Sequence, residues 1–355
     1  MNKTKFALVG CGRIAKKHAE IINNQIDTAE LAAVCDVDMH RANHYAAKYD
    51  VPSFSDMDQM MESLGDKVDI VNVLTPSGMH AEHTVRLAKY KKHIVVEKPM
   101  ALTLTDADRM ITECDANGIK LFVVKQNRYN YPVIKLREAI EANRFGKLVM
   151  GTVRVRWCRD QSYYDQDPWR GTWALDGGVF TNQASHHIDL LEWMMGDVDS
   201  VFAKSATQLV DIEAEDTGIA ILKFKNGALG VVEATTAARP KDLEGSLSVL
   251  GEAGTVEIGG FAVNEMKVWS FTNQVEGDAS VVEKYRCNPP DVYGFGHVEY
   301  LKDVIASVQN DTRALVDGLQ GRRSLELISA IYESVETGKE VPLHFAAKRC
   351  RLGQK

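Results

Sequence analysis

Apolar residues recur along this chain in two rhythms, and the change between them falls near residue 126. Before that point, short continuous apolar runs alternate with stretches of helical period. KFALVG (5–10) predicts a buried strand and residues 13–24 a helix. LAAVCD (31–36) predicts a second strand ending on an acid, followed by a helix over 38–49 and a short strand in VPSFSD. DIVNVLTP (69–76), HIVVEKP (93–99) and KLFVVKQ (120–126) predict further strands, with helices over 78–91 and 105–117 between them. Such alternation predicts right-handed βαβ units and a parallel sheet.

Beyond residue 126, after a helix over about 130–142, the runs lengthen and alternate apolar with polar. They are LVMGTVRVRWCR (148–159), SVFAKSATQL (200–209), 217–238, 246–260 and EMKVWSF (265–271). Asn226-Gly227 inside the third is a hairpin signal. Successive runs of this kind predict a large, mostly antiparallel sheet. Helices are expected over 186–195, 296–309 and 321–337. The fold class is therefore α/β, with an N-terminal parallel-sheet domain over 1–126 and an α+β domain over 127–355 whose sheet is open. No flexible linker separates them.

Length and composition fit this reading. A chain of 355 residues accommodates two domains, and 45% hydrophobic with 26% charged residues is the balance of a soluble globular protein. A net charge of −7 offers nothing to nucleic acid or an anionic membrane. No apolar stretch reaches the ~18 residues of a membrane span, and the N-terminus has no signal-peptide pattern. The six cysteines (Cys11, Cys35, Cys114, Cys158, Cys287 and Cys350) form no CxxC pair, which points to reduced thiols, a cytoplasmic location and no metal site.

The chemistry begins at Gly10-Cys11-Gly12-Arg13-Ile14-Ala15, a GxGxxA turn between the first strand and first helix. Gly10 permits the tight turn, Gly12 leaves the backbone open to a pyrophosphate, and Ala15 lets helix and strand pack closely. The helix N-terminus adds free N–H groups beside Arg13 and Ile14. Asp36 closes the second strand, where a carboxylate accepts ribose hydroxyls and repels a 2′-phosphate. This is a Rossmann dinucleotide site reading NAD over NADP. Glu97-Lys98-Pro99 ends a strand on the same sheet edge, where a lysine is placed to hydrogen-bond a substrate hydroxyl and stabilise its developing charge.

GxGxxA, Asp36, Glu97-Lys98-Pro99 and a stretch from Asn182 through His186 to Asp189 together resemble the Gfo/Idh/MocA oxidoreductases over nearly the whole chain. The resemblance implies a cis Lys98-Pro99 peptide, Lys98 on the reacting hydroxyl and Glu97 near the nicotinamide ribose. It also implies Thr75, Pro76, His80 and Gln126 on the cofactor side. The family usually has aspartate where this chain has Asn182, so proton transfer falls on His186, with Asp189 one turn on to orient its ring. His187 points elsewhere.

Arg156, Arg159, Tyr164, Trp169 and Arg170 form an aromatic and cationic region expected to hold substrate, with Asn182 and Tyr293. The stretch from Trp169 to Leu191 resembles the subgroup that oxidises nucleotide-activated amino sugars at C3. It implies NAD-dependent oxidation of a UDP-linked N-acetylamino sugar uronate (UDP-GlcNAcA) to the 3-keto sugar, in bacterial O-antigen and lipopolysaccharide sugar synthesis. The resemblance also implies a homodimer or homotetramer formed through the open sheet face. Alternatives are a dehydrogenase of UDP-GlcNAc, one of a free polyol such as inositol, or a non-catalytic NAD-binding regulator.

Overall fold

The apolar runs of the first 125 residues become six parallel strands in the computed structural model, which describes residues 3–286, 289, 294–344 and 346–354. The strands are β1 (Thr4–Val9), β2 (Ala29–Cys35), β3 (Ser53–Phe54), β4 (Ile70–Val73), β5 (His93–Val96) and β6 (Leu121–Val123). The helices between them are α1 (Ala15–Asn24), α2 (Met39–Tyr49), α3 (Met57–Leu64), α4 (His80–Ala88) and α5 (Leu104–Ala116). Their order, β3-β2-β1-β4-β5-β6, reverses direction between β1 and β4. Ligands of such sheets bind at that reversal, outside the carboxyl ends of the strands. The helix α3 was not anticipated. Asp56 caps it by accepting from the Asp58 and Gln59 N–H groups, and it buries Met57, Met60 and Met61.

The second region holds α6 (Tyr131–Glu141), β7 (Leu148–Arg156), the single turn α7 (Gln161–Tyr164), α8 (Ser185–Met195), β8 (Val198–Ala206), β9 (Thr217–Phe224), β10 (Leu229–Thr235), β11 (Glu244–Gly251), β12 (Gly254–Gly259), β13 (Glu265–Phe271) and α9 (Asp278–Lys284). The chain ends with α10 (Gly296–Gln309), α11 (Gly318–Thr337) and β14 (Val341–Pro342). Eight strands form one sheet, β13-β12-β11-β7-β10-β9-β8-β14, antiparallel throughout except for the parallel pair β7–β10. Asn226-Gly227 makes the β9–β10 hairpin turn, with Gly227 at φ +88°. The expected run over 246–260 is two strands, β11 and β12, folded back on each other.

Helix α8 covers one face of this sheet. A Cβ on Gly151 would meet Leu191 and Met195 at 2.6–2.8 Å, so Gly151, Val153 and Val155 face α8. Strand alternation then turns Thr152, Arg154 and Arg156 to the other, uncovered face.

The chain does not divide at a single point. Met1–Lys125 packs with His297–Arg323, and Gln126–Gly296 with Ser324–Lys355. The expected second domain, 127–355, is corrected accordingly. Residues 297–323 return to the parallel sheet because its last strand needs cover. Lys120 Nζ bonds the Ser307 and Thr312 carbonyls at 3.2 and 2.7 Å, and Phe122 bridges Asp317. Among the described residues no helix is long and apolar enough to cross a membrane, and the five described cysteines are free.

Candidate active site

At the sheet reversal, β1 ends on Gly10, whose φ is +101°. A Cβ there would sit 2.8 Å from the Leu74 carbonyl at the end of β4, so only glycine fits. A Cβ at Gly12 would meet nothing within 4 Å, leaving its backbone open to an incoming phosphate. No side chain caps α1, so its N-terminal N–H groups suit the same anion. Asp36 Oδ2 accepts the Cys11 N–H at 2.7 Å and Oδ1 the Asp38 N–H at 2.9 Å. The acid therefore fixes the glycine turn and keeps lone pairs for a ribose. The Cys11 thiol, pushed up to about 12 by burial and by Asp36, stays protonated and serves as a small filler. Donors at the turn and a carboxylate at the β2 end fit NAD.

The Glu97-Lys98-Pro99 turn follows β5, and the Lys98–Pro99 peptide is cis. Glu97, only 6% exposed, was expected at the cofactor, but both its oxygens are engaged inside this unit. One lies 2.9 Å from His18 Nε2 on α1, and the other accepts the Lys98 N–H at 3.0 Å. Burial works against ionisation, but the hydrogen bond and charge of His18, with His297 and Lys98, hold Glu97 down to about 2. Asn72 takes the other nitrogen of His18 at 2.9 Å, and the His297 ring stands edge-on at 5.9 Å. Glu97, His18 and His297 are near enough to share a metal ion. With both His18 nitrogens already bonded, we read the group as a hydrogen-bonded brace for the turn that presents Lys98.

His80, expected on the cofactor side, braces two turns. Its ring is 1% exposed and spans two carbonyl oxygens, Thr75 at 2.8 Å and Pro99 at 2.7 Å. Burial pulls its pKa down against those two carbonyls, which favour the charged ring. It ties the Thr75-Pro76 turn to the turn after Lys98. The Thr75 hydroxyl meets His83 Nδ1 at 2.9 Å. Arg13 is exposed; Gly12, Ile14, Thr75, Pro76 and Lys98 are partly so. Gln126 is buried in the short turn Gln126–Tyr129 and packs with the second unit.

The second unit assembles its site on a π-helical turn, Val179–Gln183, leading into α8. Such turns are rare and recur at functional sites. This one is held from behind. A Cβ on Gly178 would strike Glu215 at 2.3 Å, Glu215 Oε1 accepts from the Phe180 N–H at 3.0 Å, and the Tyr332 hydroxyl joins Glu215 to Thr181 at 2.9 and 2.7 Å. Burial pushes Glu215 up to about 7 against those bonds. In front, the turn presents Asn182 and Gln183, and His186, 8% exposed, follows on the first turn of α8. Asp189, expected to orient His186, has both oxygens on Arg128 at 2.8 Å in a buried pair.

Arg159, Trp169 and Arg170 lie around Tyr163, the neighbour of the Tyr164 expected from the sequence to hold substrate. The Arg170 guanidinium lies 4.6 Å from the Trp169 ring and 4.7 Å from that of Tyr163, and Arg159 lies 5.4 Å from Tyr163. Asn182 bonds Asp176, and Gln183 bonds Asn182 and Tyr163. Two residues leave the expected set. Tyr164 turns inward to Thr236 at 3.2 Å, and burial pushes its phenol up to about 12. Arg156 lies on the uncovered sheet face, paired with Glu233 at 2.6 Å and Glu244 at 3.4 Å. Tyr293 lies outside the described residues.

Known proteins match both regions of the chain. Residues 4–125 match the oxidoreductase family's NAD-binding Rossmann fold, and residues 137–343 match the C-terminal alpha/beta domain of the same family. The WlbA dehydrogenase from Bordetella pertussis, solved with NADH and UDP-GlcNAcA, is 42% identical, with a TM-score of 0.93 over 97% of this chain and 99% of that one. Its counterpart from Chromobacterium violaceum, solved with the same two ligands, is 40% identical, with a TM-score of 0.90 over 97% and 96%. Myo-inositol 2-dehydrogenase of Thermotoga maritima is 31% identical over 96% of this chain and 98% of its own length. The chain is an NAD-dependent oxidoreductase acting on CH–OH donors, and it belongs to the Gfo/Idh/MocA family.

Proposed function

We propose that this enzyme oxidises the C3 hydroxyl of UDP-GlcNAcA to the 3-keto sugar. The observation that carries the reading is 40–42% identity, over almost the full length, to two dehydrogenases solved with that sugar nucleotide. The cationic and aromatic group of Arg159, Tyr163, Trp169 and Arg170 supports it, since guanidinium groups match carboxylate and diphosphate. Bound NAD supplies the hydride acceptor. Lys98 donates to the reacting hydroxyl and stabilises the forming alkoxide, and His186 removes its proton. Asn182, an amide, orients a sugar hydroxyl and takes no proton.

Likeness to myo-inositol 2-dehydrogenase at 31% supports a second reading, oxidation of a free polyol. Following nicotinamide reduction by absorbance at 340 nm separates the two. UDP-GlcNAcA is expected to reduce NAD, with UDP-GlcNAc and myo-inositol at least about tenfold poorer in kcat/KM, a loss of roughly 1.4 kcal/mol in transition-state binding. Turnover of inositol alone defeats the proposal.

The protein is further proposed to associate through its uncovered sheet face. Met150, Phe202, Ile219, Ile221, Leu229 and Leu250 lie there in cross-strand register, each 36–53% exposed. Apolar clusters of this kind mark association surfaces. Light scattering is expected to give a dimer or tetramer, and a monomer at micromolar concentration removes this part.

A further inference from the structure

We infer that Tyr163 donates a hydrogen bond to an anionic oxygen of the substrate, and that a buried carboxylate four residues beyond Thr172 fixes it in that role. The inference rests on the substrate reading above. It starts from Asp176, 2% exposed, whose Oδ2 accepts the Gly171 N–H at 2.8 Å. The Asn182 amide nitrogen donates to Oδ1 of the same acid. That turns Asn182 Oδ1 toward Gln183 at 3.0 Å, where only the Gln183 amide nitrogen makes a bond. The same nitrogen reaches the Tyr163 oxygen at 3.1 Å, so the phenol accepts there. Its second neighbour, Arg170 Nη1 at 3.0 Å, can only donate.

The Tyr163 oxygen thus receives two hydrogen bonds, and among the described residues none accepts its own proton. That proton is presented by a partly exposed phenol with the guanidinium groups of Arg159 and Arg170 against its ring. Arg159 and Arg170 also pair with Asp242 at 2.9 Å and Asp167 at 3.4 Å, so the O–H, with no acceptor among the described residues, is the group left to meet a carboxylate or phosphate oxygen. UDP-GlcNAcA carries both.

Tyr163→Phe keeps the ring and removes the donor. With UDP-GlcNAcA it is expected to raise KM about tenfold, as for loss of one charge-assisted hydrogen bond, with kcat within about threefold and NADH affinity unchanged. Gln183→Glu puts an acceptor where the amide nitrogen stood, draws the phenol proton inward and is expected to raise KM similarly. UDP-GlcNAc and UDP distinguish the sources. A weakened response to UDP-GlcNAcA alone assigns the donor to the carboxylate, and equal weakening of all three assigns it to the diphosphate. A Tyr163→Phe enzyme with unchanged KM, or one that loses only kcat, overturns the inference. If the wild type does not oxidise UDP-GlcNAcA, the substrate reading falls and takes this one with it.

Discussion

Lys98→Ala is expected to cut turnover of UDP-GlcNAcA by about 10²–10⁴-fold while NADH affinity stays within about threefold. The expectation follows from how the residue is held. Its backbone N–H is bonded to Glu97, and Glu97 is anchored through His18 to α1. The next carbonyl along, that of Pro99, is tied through His80 to the turn at Thr75. The main chain is therefore fixed from the interior, and truncating the side chain removes an ammonium without releasing the glycine turn. In the role proposed for Lys98, a positive charge stabilises a forming alkoxide mainly in the transition state, so kcat falls rather than affinity. His186→Ala is expected to fall by a similar factor. The proposed roles in one proton transfer predict that the double variant loses less than the product. Stopped-flow reduction of NAD, with NADH binding by fluorescence, gives both quantities. Rates of both single variants within a few-fold of wild type would place the chemistry elsewhere.

The parts of this site legible in the sequence are those whose requirements are local. Gly10, Gly12 and Asp36 belong to one strand–turn–helix–strand unit, and the physical demands on each are met within about 25 residues. The outward turn of Arg156 was equally legible. The alternation Val153-Arg154-Val155-Arg156 puts both arginines on the face opposite the valines. Helix α3 also announced itself, through Asp56 before Met57, Met60 and Met61. Other parts depend on distant partners. That Glu97 and His80 spend their bonds inward follows from His18, 79 residues before Glu97, and from Pro99, 19 after His80. Tyr163 and Tyr164 are the same residue type on one helical turn, and only the position of Thr236, 72 residues on, decides which faces inward. The return of residues 297–323 to the parallel sheet has no local signature at all.

The largest stability effect is expected at His187, the neighbour of His186, the proposed proton acceptor. It is 0% exposed, its ring stands edge-on to Trp157 at 5.6 Å, and neither ring nitrogen has a hydrogen-bond partner. Burial holds its pKa down to about 3. In the unfolded chain a histidine titrates near ~6.5. The folded protein must therefore keep His187 neutral while the unfolded chain takes up a proton. Its contribution is whole above about pH 6.5 and is lost as pH falls from there toward 3. Between pH 8 and pH 5 the loss is about 2 kcal/mol. His187→Leu removes the titration and two unpaired polar atoms at once. It is expected to be about 1 kcal/mol more stable than wild type at pH 8, after some repacking cost, and about 3 kcal/mol more stable at pH 5. Glu215 acts in the opposite direction. With its pKa raised to about 7, it costs stability as pH rises from about 4.5 to 7, but it does so in both proteins and cancels in the comparison. Urea unfolding of the two at both pH values is the measurement. Parallel pH dependence would mean that water reaches the His187 ring and that α8 is less tightly seated on the sheet than its burial implies.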